Sequence, residues 1–579
     1  MPWLSYYGEM PATLHYPENS LYEALSETAR AYPHYSALNY LGTVIRYRRL
    51  KHDVDAIARG LTSVGISPGD RICAVLTNTP HAVVLLYAAN KIGAVVSFIH
   101  PDFGSREIEY VISDLEPRFA VVTDEHLRGM QRLLGSGQIR AIISTRYDDY
   151  ASASAVRRLM RLRWRNGLGT RGIRSVAAVP TRDGGDGDAI EMPPTFSWAS
   201  VRGLSSNNEP TIDAYDGDRT AVISYTGGTS GTPIGVELGD AQLNAQALQT
   251  QVQGPVLAGQ TILSVAPISH GFGLGVGIHS ALVSGAQTVL LPFWTPRSLA
   301  SAIRRTRPEY LVGVPRMYAM LEDDIRFRRT RLAFLMGAFC GGDRLSAQVR
   351  ERFDELIRRR GGAVRVREGY GMTETVAACA LMPDDMSRAS SVGIPYPDTL
   401  IRIARPVVDA DSGRRFDWLE NGETGEICIS GPTVMRGYWR RPSESATALV
   451  PDETGTIWLR TGDLGRMDSD GFLYFIQRSG RSGSIDGETV MPGIAEMVLC
   501  EHSAVREAIV VVVDHNDEQA LEAHVVPVDS DLEEEFLENE LRLACASRLG
   551  LSLQPRWYCF HEELPATLIG VVDYRRVGV

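Results

Sequence analysis

Lysine is almost missing from this chain of 579 residues: Lys51 and Lys91 stand alone among 59 basic side chains, and the rest are arginine. Any chemistry that needs a compact ammonium therefore has two candidates, because arginine replaces lysine freely on exposed surfaces but not at specific sites. Cysteine is sparse and scattered. The seven thiols, an odd number with no C-x-x-C pair, exclude a disulfide framework and a zinc knuckle and point to a reducing, cytoplasmic setting. Positive charge is in deficit, with a formal net charge of −11. No general attraction to nucleic acid or anionic lipid is built in. Long apolar runs are missing too. The charge-free stretch 241–296 is broken by Gln, Ser, Gly, His and Pro before 18 apolar residues accumulate, so it reads as buried core rather than a membrane span. The first ten residues lack a basic segment and carry Glu9, so no signal peptide is expected. No internal repeat is visible.

What is present is a folded, multi-domain composition, 44% hydrophobic and 22% charged. Residues 20–122 alternate helix-like runs (Leu50, Val54, Ile57, Leu61) with short apolar strands (71–76, 94–98), the pattern of βαβ units in a parallel sheet. Residues 151–210 read as an insertion: six arginines from Arg157 to Arg171, then a Gly/Asp-rich stretch at 183–188. From Tyr215 to about Phe475 strands and helices alternate again, which reads as a continuation of the same sheet. Gly, Ser and Arg then interrupt the pattern near 477–487, and a compact run of strands and one helix follows. The expected architecture is α/β: a large N-terminal domain (1–477) of parallel-rich sheets with helices, a hinge (478–486), and a small mobile α+β C-terminal domain (487–579).

Chemistry is concentrated in Tyr225-Thr-Gly-Gly-Thr-Ser-Gly-Thr-Pro-Ile-Gly235. Glycines and small hydroxyls after a strand let backbone N–H groups wrap a phosphate chain. The P-loop pattern is excluded, since no lysine is present. Further along come Gly369-Tyr-Gly-Met-Thr-Glu374, Thr461-Gly-Asp-Leu-Gly-Arg466, and Leu564-Pro-Ala-Thr-Leu-Ile-Gly-Val-Val-Asp573.

In this order, the four segments resemble the adenylate-forming superfamily of acyl-CoA synthetases, luciferases and peptide-synthetase adenylation domains, over nearly the whole chain. The resemblance implies ATP and Mg²⁺ as cofactors, and a small-molecule acid as substrate. CoA or a carrier-protein thiol is the implied acceptor; no nucleic acid and no membrane span is expected. It implies that Thr226, Gly227, Gly228, Thr229, Ser230, Gly231 and Thr232 hold the phosphates, that Tyr370 and Gly371 flank adenine with Gly341, and that Thr373 touches the α-phosphate. Glu374 matches the magnesium ligand. Asp463 matches the ribose acceptor, and the family spacing to Pro492 puts Arg478 at the second ribose position. Thr229, Thr373, Glu374 and Arg478 are the implied catalytic set. His270, Gly271, Gly341 and Gly369 match the acyl pocket, although a lone His in an apolar stretch also fits a packed core. The glycine run 271–277 reads equally as room for a substrate or as close packing.

The pattern departs from the family at its lysines. Ile234 replaces the loop lysine, Val571 the C-terminal one, and Ser484 or Asp486 the hinge one, while Arg481 stands near the hinge acid. Coding bias would have left arginine. Losing one fixed cation beside a developing phosphorane costs about 3–4 kcal/mol. Three readings stay open: an adenylate-forming enzyme of specialised metabolism with atypical catalysis, a diazotase-type enzyme activating nitrite towards an aryl amine, and a degenerate nucleotide-binding partner. The oligomeric state is not legible.

Overall fold

The computed structural model describes residues 1–134, 139–157, 160, 193–204, 215–226, 233–405, 416–485, 488–515, 518–529, 533–565 and 572–577. The phosphate-loop candidates 227–232, most of the arginine-rich insertion, Asp486 and Val571 lie outside them.

Local chemistry starts the helices where the sequence marks them. Ser20 caps Leu21–Ala31 by accepting from Glu23 N while the Glu23 carboxylate accepts from Ser20 N, a reciprocal box that satisfies two otherwise orphaned donors. Pro80 opens Pro80–Lys91, whose residues are buried on every side, as expected for a helix apolar all round. Packed helices cover two parallel-rich sheets. One runs Gly437–Tyr438, Ile234–Gly239, Thr220–Thr226, Val95–Ile99, Arg71–Val75, Phe119–Thr123, Ala141–Thr145, Thr195–Ser197. The other has nine strands, with Val366–Gly371 between Gly337–Cys340 and the antiparallel Ala378–Leu381.

The sequence expectation of one continuing sheet fails here. Strands from Thr220–Thr226 to Leu473–Arg478 divide among three sheets, the third a five-stranded antiparallel one built from Leu400–Ala404, Gly425–Ser430, Leu449–Pro451, Ile457–Met467 and Leu473–Arg478. Alternation reports strand and helix but not which edge a strand joins. Beyond it a three-stranded sheet (Val505–His515, Glu518–Pro527, Trp557–Phe560) packs on Pro492–Cys500 and Glu534–Ala546 over its own core of Val510, Ala523, Val525, Leu537 and Leu541. Among the described residues no helix is long and apolar enough to cross a membrane.

Both lysines are committed to this scaffold. Lys51 Nζ lies 2.7 Å from Asp55 Oδ2 and Lys91 Nζ 2.9 Å from Asp55 Oδ1. One carboxylate thus ties two neighbouring helices, and neither ammonium is left for the cleft described next.

Candidate active site

The site forms where Val366–Gly371 ends. Gly371 cannot carry a side chain there, because a Cβ would stand 1.7 Å from Ala377 O. A single turn, Thr373–Thr375, follows and closes on Val376, whose φ of +63° is a strained value for a β-branched residue. Gly271 presses on that strained residue, since a Cβ on it would lie 1.7 Å from Val376 O. The tight turn buries Glu374. Tyr438 donates to Glu374 Oε1 (3.1 Å) and Met435 N to the Glu374 carbonyl (2.7 Å). Desolvation raises the Glu374 carboxyl above its ordinary range, with Arg478 pulling the other way.

Asp463 and Arg478 come from neighbouring strands, directly opposite in register. Tyr370 Oη donates to Asp463 Oδ2 (2.7 Å), and Asp463 N donates to Thr461 Oγ1 (3.0 Å). The other carboxylate oxygen, Oδ1, has no hydrogen-bond partner among the described residues, and Arg478 Nε is 3.9 Å away. A buried, unsatisfied acceptor is expensive. Its position suits a hydroxyl donor arriving from the cleft. Burial raises the Asp463 pKa against the pull of Arg478, whereas the Arg478 guanidinium is raised by Asp463 and stays 47% exposed. The Tyr370 ring lies 5.9 Å from that of Phe475, 29° from parallel.

Behind this polar rim is an apolar cavity of about 70 Å³, walled by Phe272, Val276, Tyr310, Phe339 and Leu381. His270, Gly341 and Gly369 line it as the sequence suggests, but Gly271 does not, being used against Val376. His270 Nδ1 accepts from Phe272 N (3.2 Å), and burial lowers its pKa to about 4, so the ring is neutral at pH 7. Gly273, Gly275 and Gly277 would each drive a Cβ to within 2.1, 2.9 and 2.8 Å of a neighbour. Close packing is their role, and Phe272 and Val276 between them face the cavity. Gln253 closes one wall; it is 8% exposed, and its Nε2 has no partner among the described residues.

A larger polar cleft of about 350 Å³ shares Gly342, Gly369, Tyr370 and Gly371 with the cavity. It passes Asp463 and Arg478 and reaches Glu507 and Ile509 of the C-terminal sheet. Thr226, the last described residue before the phosphate-loop candidates, pairs with Ile234 on the antiparallel neighbouring strand. Arg481 does not replace a lysine in the open. It pairs with Glu496 and lies 5.2 Å over the Tyr574 ring.

Tyr438, Phe475 and Gln253 escaped sequence reasoning. Gly437-Tyr438-Trp439 offered an aromatic signal, but only sheet pairing with Ile234–Gly239 brings Tyr438 to Glu374.

A parallel-rich α/β body with a buried acidic pair at a cleft bordered by a small second sheet is the architecture of adenylate-forming enzymes of the ligase type. The chain belongs to the AMP-binding enzyme family, whose model matches residues 25–439, with the AMP-binding enzyme C-terminal domain matching 495–570. It is 26% identical over 585 residues to a long-chain-fatty-acid–CoA ligase of Bacillus subtilis (strain 168), covering 100% of this chain and 97% of that one. It is 27% identical over 547 residues to a feruloyl-CoA synthase of Amycolatopsis sp, covering 94% and 95%. Its fold matches a benzoate CoA ligase from Burkholderia xenovorans LB400 with a TM-score of 0.77 at 20% identity, covering 96% of this chain and 99% of that one.

Proposed function

We propose that this protein activates a compact aryl carboxylic acid as its acyl-adenylate and passes the acyl group to a thiol, with CoA or a carrier protein as acceptor. The observation that carries the reading is the shared wall: a small apolar cavity and a polar cleft meet at Gly342, Gly369, Tyr370 and Gly371. An acid seated in the first points its carboxylate at a nucleotide held in the second. Phe272, Tyr310 and Phe339 suit a planar ring. The feruloyl-CoA synthase and benzoate CoA ligase named above act on ring-bearing acids.

In this reading Asp463 Oδ1 accepts from a ribose hydroxyl, Arg478 stands beside it, and Tyr370 and Gly371 flank the adenine with Gly341. Thr226–Thr232 and Thr373 contact phosphate oxygens. Glu374, buried and bonded by Tyr438 at one oxygen, is the carboxylate suited to a hard divalent cation, and Mg²⁺ held there would neutralise charge on the phosphates. The acid's carboxylate oxygen attacks the α-phosphorus and the bond to pyrophosphate breaks; the thiolate then attacks the acyl carbon and AMP leaves. The usual lysines are absent, and Arg478 is the cation whose field reaches both Glu374 and His270. We read residues 1–477, 478–486 and 487–579 as body, hinge and lid, acting in a reducing cytoplasmic compartment that keeps the thiols free.

The test is mass-spectrometric detection of AMP and pyrophosphate from protein, Mg-ATP and separate panels of benzoates, cinnamates and fatty acids, with and without CoA. AMP formed with the ring acids supports the proposal. AMP with long-chain acids alone overturns the substrate class, and ATP binding without AMP from any panel overturns activation itself.

A further inference from the structure

The C-terminal sheet holds a second cluster of reactive side chains, none of them among the residues assigned above, beside Ile509 and Val526 of the polar cleft. Glu518–Pro527 and Trp557–Phe560 pair in parallel, with Glu522 opposite Trp557 and His524 opposite Cys559. Residues two apart on a strand share a face. The intervening Leu521, Ala523 and Val525, with Tyr558 and Phe560, face the helices and core. Glu522, His524 and Cys559 are thereby turned together to the other face, and His561 joins them because its N–H continues the ladder to Val525 O (2.9 Å).

Ligand atoms of Glu522, His524 and Cys559 all lie within 4.8 Å of one another. His524 is 4% exposed, and its Nε2 is 2.9 Å from Glu522 Oε1 without the alignment of a hydrogen bond. Its other nitrogen, Nδ1, is 3.0 Å from His561 Nε2. If Nδ1–H donates to His561, the lone pair of Nε2 is left facing the Glu522 carboxylate. A metal-bound histidine is commonly held in this way through its second nitrogen.

We propose that Glu522, His524 and Cys559 form a zinc-type transition-metal site, with His561 as the positioning residue for His524. Imidazole, thiolate and carboxylate are the donor set that zinc prefers over magnesium, and the two anionic ligands balance a divalent ion. Three protein ligands leave one coordination position for water. The ion would tie the edge strand Trp557–Phe560 to its neighbour.

Metal-free full-length protein titrated with Co²⁺ tests this. One equivalent should produce a thiolate-to-cobalt charge-transfer band with strong visible ligand-field bands, both displaced by Zn²⁺. Cys559→Ser should remove the charge-transfer band, whereas Cys545→Ser, altering a buried thiol of the core, should keep it. His561→Ala should weaken the metal roughly 10- to 100-fold yet retain the band at saturation. No charge-transfer band in the folded wild-type protein, a band surviving Cys559→Ser, or unaltered affinity in His561→Ala would overturn the assignment. None of these readouts depends on ATP or on an acid substrate, so the site stands or falls apart from the proposed activity.

Discussion

Asp463 and Arg478 face each other across a two-strand hairpin, close enough to feel each other's charge (3.9 Å) yet without a hydrogen bond. The carboxylate spends one oxygen on Tyr370 and, among the described residues, keeps the other open. A polar pair held this way is preorganised for a third partner. Its open oxygen needs a hydroxyl, and the guanidinium keeps its donors for the cleft.

Asp463→Asn removes the charge from that acceptor while preserving size. Loss of a charged hydrogen bond is worth about 1.5–3 kcal/mol, so the ATP dissociation constant should rise by roughly one to two orders of magnitude. Calorimetric titration reads it directly, and unchanged affinity would remove Asp463 from the nucleotide site.

Glu374→Gln keeps a partner for Tyr438 but loses the carboxylate. AMP release should fall at least several hundredfold, the scale of about 3–4 kcal/mol of transition-state stabilisation, with the melting temperature little changed or slightly raised, because a buried carboxylate is relieved. Turnover that persists at wild-type magnesium dependence would place the metal elsewhere.

Gly271→Ala tests the strained turn. Its Cβ would meet the Val376 carbonyl at 1.7 Å, backbone that cannot swing aside like a flexible side chain. A destabilisation of about 1–3 kcal/mol and a matching loss of activity are expected. A melting temperature equal to wild type would show that the turn yields freely.

Gln253→Leu removes the amide whose nitrogen has no partner among the described residues. The variant should be as stable as wild type or more so, and should lose discrimination in favour of ring acids that carry a hydroxyl, by roughly tenfold or more in kcat/KM ratio. An unaltered ratio would mean that the amide does not read the substrate.

Glu507 carries a pH signature. Burial, with Asp343 adding to it, raises its carboxyl from 4.5 to about 7. The folded state therefore binds a proton more tightly than the unfolded chain, so this contribution to stability is whole below pH 4.5 and declines as pH rises through 7. Glu507→Gln should flatten that decline and make the protein more stable than wild type at pH 8, as followed by thermal melts across pH 5–8.

Much of this could be read along the chain. The βαβ alternation, the break near 477–487 and the glycine- and hydroxyl-bearing segments are local signals, and the strands and helices appear where periodicity puts them. Tyr370, Glu374 and Asp463 lie in short motifs, and Tyr370 and Asp463 meet in a hydrogen bond. Gly271 reads both ways along the chain, because a substrate pocket and a tight backbone contact ask for the same residue, and the contact with Val376 shows the packing use. Tyr438 and Gln253 were missed, since each acts through a partner more than sixty residues away or through a cavity wall.

Near-total absence of lysine was a property of the sequence alone, and it excluded the usual phosphate cations before any fold was known. That both remaining lysines converge on Asp55, that Arg478 faces Asp463, and that one sheet divides into three were decided only by tertiary structure. Composition and periodicity are set by neighbours along the chain, whereas charge pairing and sheet membership depend on which distant surfaces pack together.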